Sequence, residues 1–158
     1  MTQIVYMASG AIQNVQALLD QSDARSVFIV ADRTAYENSG AKVRLAPALH
    51  NRACVIFDAF APNPKYADVK RGVVLWHEHP CDIMMAVGGG SAIDMAKLIG
   101  ICAAGHGSHR ELLTGDIPIQ NKGTPLVAIP TTAGTGSEAT HFAVVYIDGQ
   151  KYSIAHAH

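Results

Sequence analysis

Three segments of this sequence carry residue types whose spacing suits the binding of a phosphate- and ribose-bearing ligand. The first, Gly88-Gly89-Gly90-Ser91-Ala92-Ile93-Asp94-Met95-Ala96-Lys97, directly follows an apolar run that ends at Val87. Glycines admit backbone angles that other residues resist and carry no side chain to hold a phosphate away. Ser91 is expected to cap the helix that follows, whose N-terminus presents free N–H groups and the positive end of a dipole. Such an end is an anion site built from backbone, suited to a pyrophosphate. The same residues also read as a tight strand-to-helix turn with no ligand. Asp94 and Lys97, three residues apart, are expected to share the one polar side of a helix otherwise made of Ile93, Ala96, Leu98, Ile99 and Ala103.

The second segment is Pro130-Thr131-Thr132-Ala133-Gly134-Thr135-Gly136-Ser137-Glu138-Ala139-Thr140, dense in hydroxyls and small residues. It can hydrogen-bond phosphate, ribose or amide groups while lying close to a ligand, or it is a Ser/Thr/Gly linker. The third is Asp32, at the end of the run Ser26–Ala31. A carboxylate there can accept from an adenosine ribose and would repel a 2′-phosphate, or it caps the next helix. The order is unusual: in the common dinucleotide fingerprint the glycines come first and the acid about 20 residues later.

Positioning these segments requires strands that end where each begins. Ser26–Ala31, Cys54–Phe57, Asp82–Val87 and Leu126–Ile129 are continuous apolar runs, as expected of strands covered on both faces. Helical stretches are expected at 35–50, 65–79 and 91–104, and strand–helix alternation of this kind implies parallel pairing. An earlier unit, Gln3–Met7 followed by Gly10–Leu19, is expected to add an edge strand and a helix. Phe142–Ile147 and Tyr152–Ala155 flank Asp148-Gly149, a hairpin signal. The expected fold is α/β, a doubly wound, mostly parallel Rossmann-like sheet with a C-terminal β-hairpin. Open sheets of this kind bind ligands at the carboxyl ends of their strands, which is where all three segments fall.

Composition removes other classes. Twelve basic against thirteen acidic residues leave no surplus to grip nucleic acid or an anionic membrane. No apolar stretch reaches the roughly 18 residues that span a bilayer, and the start of the chain lacks the pattern of a secretory signal. Cys54, Cys81 and Cys102 form no CxxC pair and read as buried, reduced thiols, so a cytoplasmic protein is expected.

Taken together, the motifs place the sequence beside a known family. The Gly88–Lys97 block resembles the GGGSxxDxAK element of the iron-containing alcohol dehydrogenases, Pro130–Glu138 resembles their PTTAGTGSE, and Pro62-Asn63-Pro64 their PNP. The resemblance runs from near the first residue to the last, with family spacing between motifs. It implies that residues 1–158 are the family's dinucleotide-binding α/β domain, which an all-helical domain follows. It implies NAD, in preference to NADP, along the glycine loop, with Gly89, Gly90 and Ser91 at the pyrophosphate and Asp94 counted among the cofactor residues. Thr131, Thr132 and Thr135 are implied near the pyrophosphate and nicotinamide, Asn63 near the diphosphate or ribose, Asp32 as the selector of NAD over NADP, and Lys151 as a hairpin lysine directed at the cofactor.

The family's Fe²⁺ or other divalent metal is held by an aspartate and three histidines of the helical domain, expected past His158. None of the eight histidines here matches those positions. His156 and His158 read as a chain end, His77 and His79 as the surface end of a helix, and His106 and His109 as loop residues. In the whole enzyme the metal would stabilise the alkoxide from which hydride leaves, while the nicotinamide accepts it. The implied activity is interconversion of a small alcohol and aldehyde by a homo-oligomer, with the chain alone expected to be inactive. Two other readings stay open: a cofactor-binding module without catalysis, and a metal-dependent lyase of the dehydroquinate synthase type.

Overall fold

The computed structural model describes residues 3–155. A 3-10 turn at Ala11–Gln13 leads into α1 (Asn14–Gln21), followed by β1 (Ser26–Ala31), α2 (Arg33–Asn38), α3 (Ala41–Leu49) and β2 (Ala53–Phe57). Then come α4 (Tyr66–Glu78), β3 (Ile83–Gly88), α5 (Gly90–Ala104), α6 (His109–Thr114), β4 (Leu126–Pro130), β5 (Phe142–Ile147) and β6 (Gln150–Ala155).

The first four strands form one parallel sheet in the order β2-β1-β3-β4. The chain leaves β1 toward one edge and returns to β3 on the other side, so the switch point lies between β1 and β3, the crevice where such sheets take ligands. Both central strands are buried along nearly their whole length, as their unbroken apolar runs require. The outer strands are not: β2 is largely exposed and β4 half-buried. Side chains of β1 alternate between two cores. Val27, Ile29 and Ala31 join β3's Ile83, Met85 and Val87 under α1 and α3, while Phe28 and Val30 join Met84 and Ala86 under α4, α5 and the hairpin. The fold is therefore doubly wound.

The hairpin forms as its sequence predicts. Asp148 and Gly149 both adopt left-handed angles (φ 51° and 81°), the conformation a two-residue turn needs to match strand twist. Ala143, Val145, Ile147 and Ile154 lie buried against α5, and the hairpin is a separate antiparallel sheet.

Several expectations are corrected. Gln3–Met7 is not a strand: it has no ladder partner among the described residues, and Ile4, Val5, Tyr6 and Met7 are exposed. The helix expected at 35–50 is two, separated at Gly40, which takes a left-handed φ of 77°. His109 starts a short helix instead of lying in a loop, because Leu112 and Leu113 two and three residues past Arg110 give it a face to bury. Of the cysteines only Cys102 is buried, and burial pushes its thiol pKa up to about 12. Cys54 is exposed because its strand is an edge. His156 and His158 lie outside the described residues.

At the amino end of the sheet Asp82 stands just before β3 and ties it to β1. Its Oδ2 accepts from the N–H groups of Arg25 and Ser26 and from Ser26 Oγ, each at 2.9 Å. The Arg25 N–H first, then the Ser26 groups, hold this carboxyl below the ordinary value of 3.8. A depressed acid contributes its stability above the ordinary value and loses it as pH falls through the folded value. Wild-type urea midpoints should therefore drop between pH 5 and pH 2, and Asp82→Asn should lower the midpoint at pH 7 and flatten that drop. An unchanged pH profile in the variant would remove Asp82 from the acid response.

Candidate functional site

Asp32, Asn63, the glycine loop and the threonine loop come together at the carboxyl ends of the parallel strands. The β3 ladder continues past its strand partners there: Asp32 N donates to Val87 O at 3.1 Å, and Thr131 N donates to Gly88 O at 2.9 Å. Those two bonds fix the first residue after β1 and the first after β4 on either side of the glycines.

Each glycine has its own steric reason. Gly88 has φ 153°, and a Cβ there would stand 2.7 Å from Ala92 Cβ and 3.2 Å from Asp32 Cβ. This is a packing demand of the β3–α5 turn itself. Gly89 and Gly90 are different. A Cβ on Gly89 would lie 3.0 Å from Thr132 Oγ1, and one on Gly90 would lie 3.1 Å from both Thr135 Cβ and Ser137 Oγ. The threonine loop thus sits directly beside these two bare backbones.

α5 starts at Gly90 without a side-chain cap. Gly89 is the N-cap, and its carbonyl accepts from Ala92 N and Ile93 N at 3.0 and 3.3 Å. The N–H groups of Gly90 and Ser91, at the helix start, have no intrahelical acceptor and carry the positive end of a fifteen-residue helix. Ser91 is not the cap that its sequence position suggests, because it is already the second residue of the helix, two past the N-cap Gly89. Its Oγ instead accepts from Asn63 N at 3.1 Å, which ties the Pro62–Pro64 turn to the glycine loop. Asn63 reaches that contact through a left-handed φ of 61°.

Asp32 caps α2, its Oδ1 accepting from Ala35 N at 2.8 Å, which leaves Oδ2 with free lone pairs. Arg33, next to it, is held by Asp58 at the end of β2 (Nε to Oδ2, 2.7 Å), and that guanidinium keeps the Asp58 carboxyl below its ordinary range. In the threonine loop, Thr131 Oγ1 and Glu138 Oε2 are buried without a hydrogen-bond partner among the described residues. An unpartnered buried hydroxyl is costly, and one on a residue bonded through its N–H to Gly88 O, beside the glycine loop, fits a site that a polar ligand completes.

Two expected residues stand elsewhere. Lys151 is exposed on β6 opposite Tyr146 and is not among the residues lining the cleft of about 630 Å³ between Asn63, Tyr66 and the hairpin. Asp94 is buried, with its carboxylate turned to Val144 N at 3.1 Å. The polar side of α5 that Asp94 shares with Lys97 faces the threonine loop and β5 rather than solvent. Residue type alone does not mark Lys97 and Glu138 as site residues, although both stand inside motifs; the surroundings of Lys97 depend on chain 40 or more residues away. Among the described residues no group of three or more His, Cys, Asp or Glu side chains could hold a metal ion, and no helix is long and apolar enough to cross a membrane.

Comparison with known proteins points the same way. The model of the iron-containing alcohol dehydrogenase family matches residues 2–158. The chain is 33% identical over 147 residues to a 4-hydroxybutyrate dehydrogenase of Cupriavidus necator, covering 91% of this chain and 38% of that protein. It is 34% identical over 144 residues to an NAD-dependent methanol dehydrogenase of Bacillus methanolicus, covering 90% of this chain and 37% of that one. A crystal structure of sulfoacetaldehyde reductase from Bifidobacterium kashiwanohense in complex with NAD+ superposes with a TM-score of 0.85 at 25% identity, covering 99% of this chain and 44% of that one. The chain spans about two fifths of the length of these relatives.

Proposed function

This chain belongs to the iron-containing alcohol dehydrogenase family, and from that premise we propose that it binds NAD(H) at the carboxyl ends of β1, β3 and β4. In this reading the pyrophosphate lies at the start of α5, against the N–H groups of Gly90 and Ser91 and the bare backbone of Gly89. The hydroxyls of Thr131, Thr132 and Thr135 serve the pyrophosphate and nicotinamide side, Asn63 the diphosphate or ribose, and Asp32 the adenosine ribose. Lys151 would reach the cofactor only from the hairpin. The observation that carries the reading is that Thr131, whose hydroxyl is buried and unpartnered, is bonded through its N–H to Gly88 O, just before the uncapped start of α5. A dinucleotide supplies what both lack, an anion for the donors and an oxygen-rich partner for the hydroxyl. Two relatives support the choice of nucleotide: the methanol dehydrogenase is NAD-dependent and the sulfoacetaldehyde reductase was crystallised with NAD+.

When bound, the nicotinamide supplies hydride transfer, and the residues described here orient it. The whole enzyme would act on a small alcohol or aldehyde, as a cytoplasmic homo-oligomer. The metal that the family implies does not fit the described residues, which offer no set of three ligands where a catalytic site needs about that many plus an open position. The chain is therefore assigned the cofactor-positioning half of the reaction. Its test is to titrate the chain with NADH, then load it anaerobically with Fe²⁺ or Zn²⁺, dialyse it, and assay small aldehydes. Saturable NADH binding, with neither stoichiometric metal nor aldehyde reduction after dialysis, is the expected result. Absence of NADH binding would overturn the cofactor reading, and retained metal with turnover would overturn the division of labour.

A further inference from the structure

Between the end of β4 and the start of β5 the chain crosses 131–141 with few restraints of its own. Gly134 and Gly136 take left-handed angles, and a Cβ on either would meet nothing within 4 Å. Internal bonds are limited to Ala139 N to Gly136 O at 3.0 Å and Ser137 N to Thr135 Oγ1 at 3.4 Å. The entrance is pinned by Thr131 N on Gly88 O. Toward the exit, Gln3 Nε2 donates to Glu138 O at 2.6 Å, and one side chain from α5 holds three carbonyls. Lys97 Nζ donates to Ser137 O, Thr140 O and Phe142 O at 2.5, 2.7 and 2.8 Å. One turn earlier Asp94 accepts from Val144 N at 3.1 Å.

An ammonium has three protons to donate, and here all three go to backbone carbonyls. Lys97 consequently has no donor left for a ligand. We propose that Lys97 and Asp94 are positioning residues: they hold the exit of the threonine loop and the start of β5 against α5, and so set NAD(H) affinity without touching the cofactor. The inference rests on the cofactor reading above. Geometry favours it over a purely structural role because α5 carries both the free N–H groups at Gly90 and Ser91 and the clamp, so one rigid helix fixes the glycine and threonine loops relative to each other. Burial pushes the Asp94 carboxyl up and the Lys97 ammonium down, and the mutual attraction of the two opposes both shifts. Glu138 also favours the charged form of Lys97.

The test compares wild type with Lys97→Met, Asp94→Ala and Asp94→Asn by amide hydrogen exchange and by binding of NADH and of AMP. Lys97→Met should speed exchange across 131–141 by at least about tenfold while β1 and β3 amides keep their protection. It should weaken NADH about tenfold or more and AMP by less than about twofold, since AMP lacks the part that the threonine loop serves. Asp94→Asn keeps an acceptor for Val144 N and should stay near wild type, whereas Asp94→Ala should move toward Lys97→Met. A purely structural role would instead lower the folded fraction and leave the dissociation constants of both ligands unchanged. Loop exchange equal to wild type in Lys97→Met, or faster exchange with unchanged NADH affinity, overturns the proposal. Should Lys97→Met not fold, Asp94→Ala, which removes one bond, decides it on the same readouts. If wild type fails to bind NADH, the cofactor reading and the affinity role fall together, and the exchange data still decide whether the clamp tethers the loop.

Discussion

Gly90→Val should abolish measurable NADH binding, a loss of at least about 100-fold or about 2.7 kcal/mol, while the domain stays folded. The two halves of this expectation have separate causes. Gly90 is the first residue of α5 and Gly89 has φ −77°, so neither backbone demands glycine. The fold therefore tolerates a side chain on conformational grounds. What a side chain meets is the threonine loop: from Gly90 a Cβ reaches Thr135 and Ser137, and from Gly89 it reaches Thr132. The branched methyls of valine push the threonine loop outward and cover the N–H groups of Gly90 and Ser91. Gly89→Val should behave alike. Gly88→Ala is the contrasting case, because its Cβ would stand 2.7 Å from Ala92 Cβ inside the β3–α5 turn. That variant should lose stability, by about 1–3 kcal/mol as for overpacking generally. Calorimetry with NADH and thermal melts on all three variants separate the cases. Unchanged affinity in a folded Gly90→Val protein would reduce the loop to a turn.

The second large effect concerns the choice of nucleotide. Wild type should prefer NADH to NADPH, and Asp32→Gly should narrow that preference by about tenfold or more, the size expected for a charge-dependent contact of 1–3 kcal/mol. Asp32 spends one oxygen on the Ala35 N–H and keeps the other, so a ribose hydroxyl has an acceptor and a 2′-phosphate meets a carboxylate. Glycine is a suitable replacement, since at an N-cap it costs helix stability only a few tenths of a kcal/mol. Arg33, the adjacent cation, does not offset the repulsion in wild type because Asp58 holds it at 2.7 Å. Equal dissociation constants for the two nucleotides in wild type would remove Asp32 as the selector.

How much of this was legible in the sequence differs by element. Strands β1 and β3 were readable because central parallel strands are apolar on both faces, and the hairpin because Asp148-Gly149 admits left-handed angles at both positions. The break at Gly40 and the short helix at His109–Thr114 were not, since neither gives a periodic pattern long enough to distinguish from its surroundings. Gln3–Met7 has the apolar composition of a strand, yet a strand exists only where a ladder partner lies beside it, and composition carries no information on that. At the site, the glycine and threonine loops announced themselves by residue type. The partners of their side chains did not. Ser91 serves Asn63 rather than the helix start, and Asp94 and Lys97 serve the chain 40 to 50 residues further on. Those roles depend on which loop the topology brings alongside α5.

The most direct measurement of the central claim is an NMR titration of the isotope-labelled 158-residue chain with NAD+. Amide shifts should move at residues 88–92 and 131–137, with smaller changes at Asp32 and Asn63, and the amino-end residues Arg25, Ser26 and Asp82 should stay still. A saturable response confined to other surfaces, or no response at millimolar NAD+, would contradict the assignment of the nucleotide to the carboxyl ends of β1, β3 and β4.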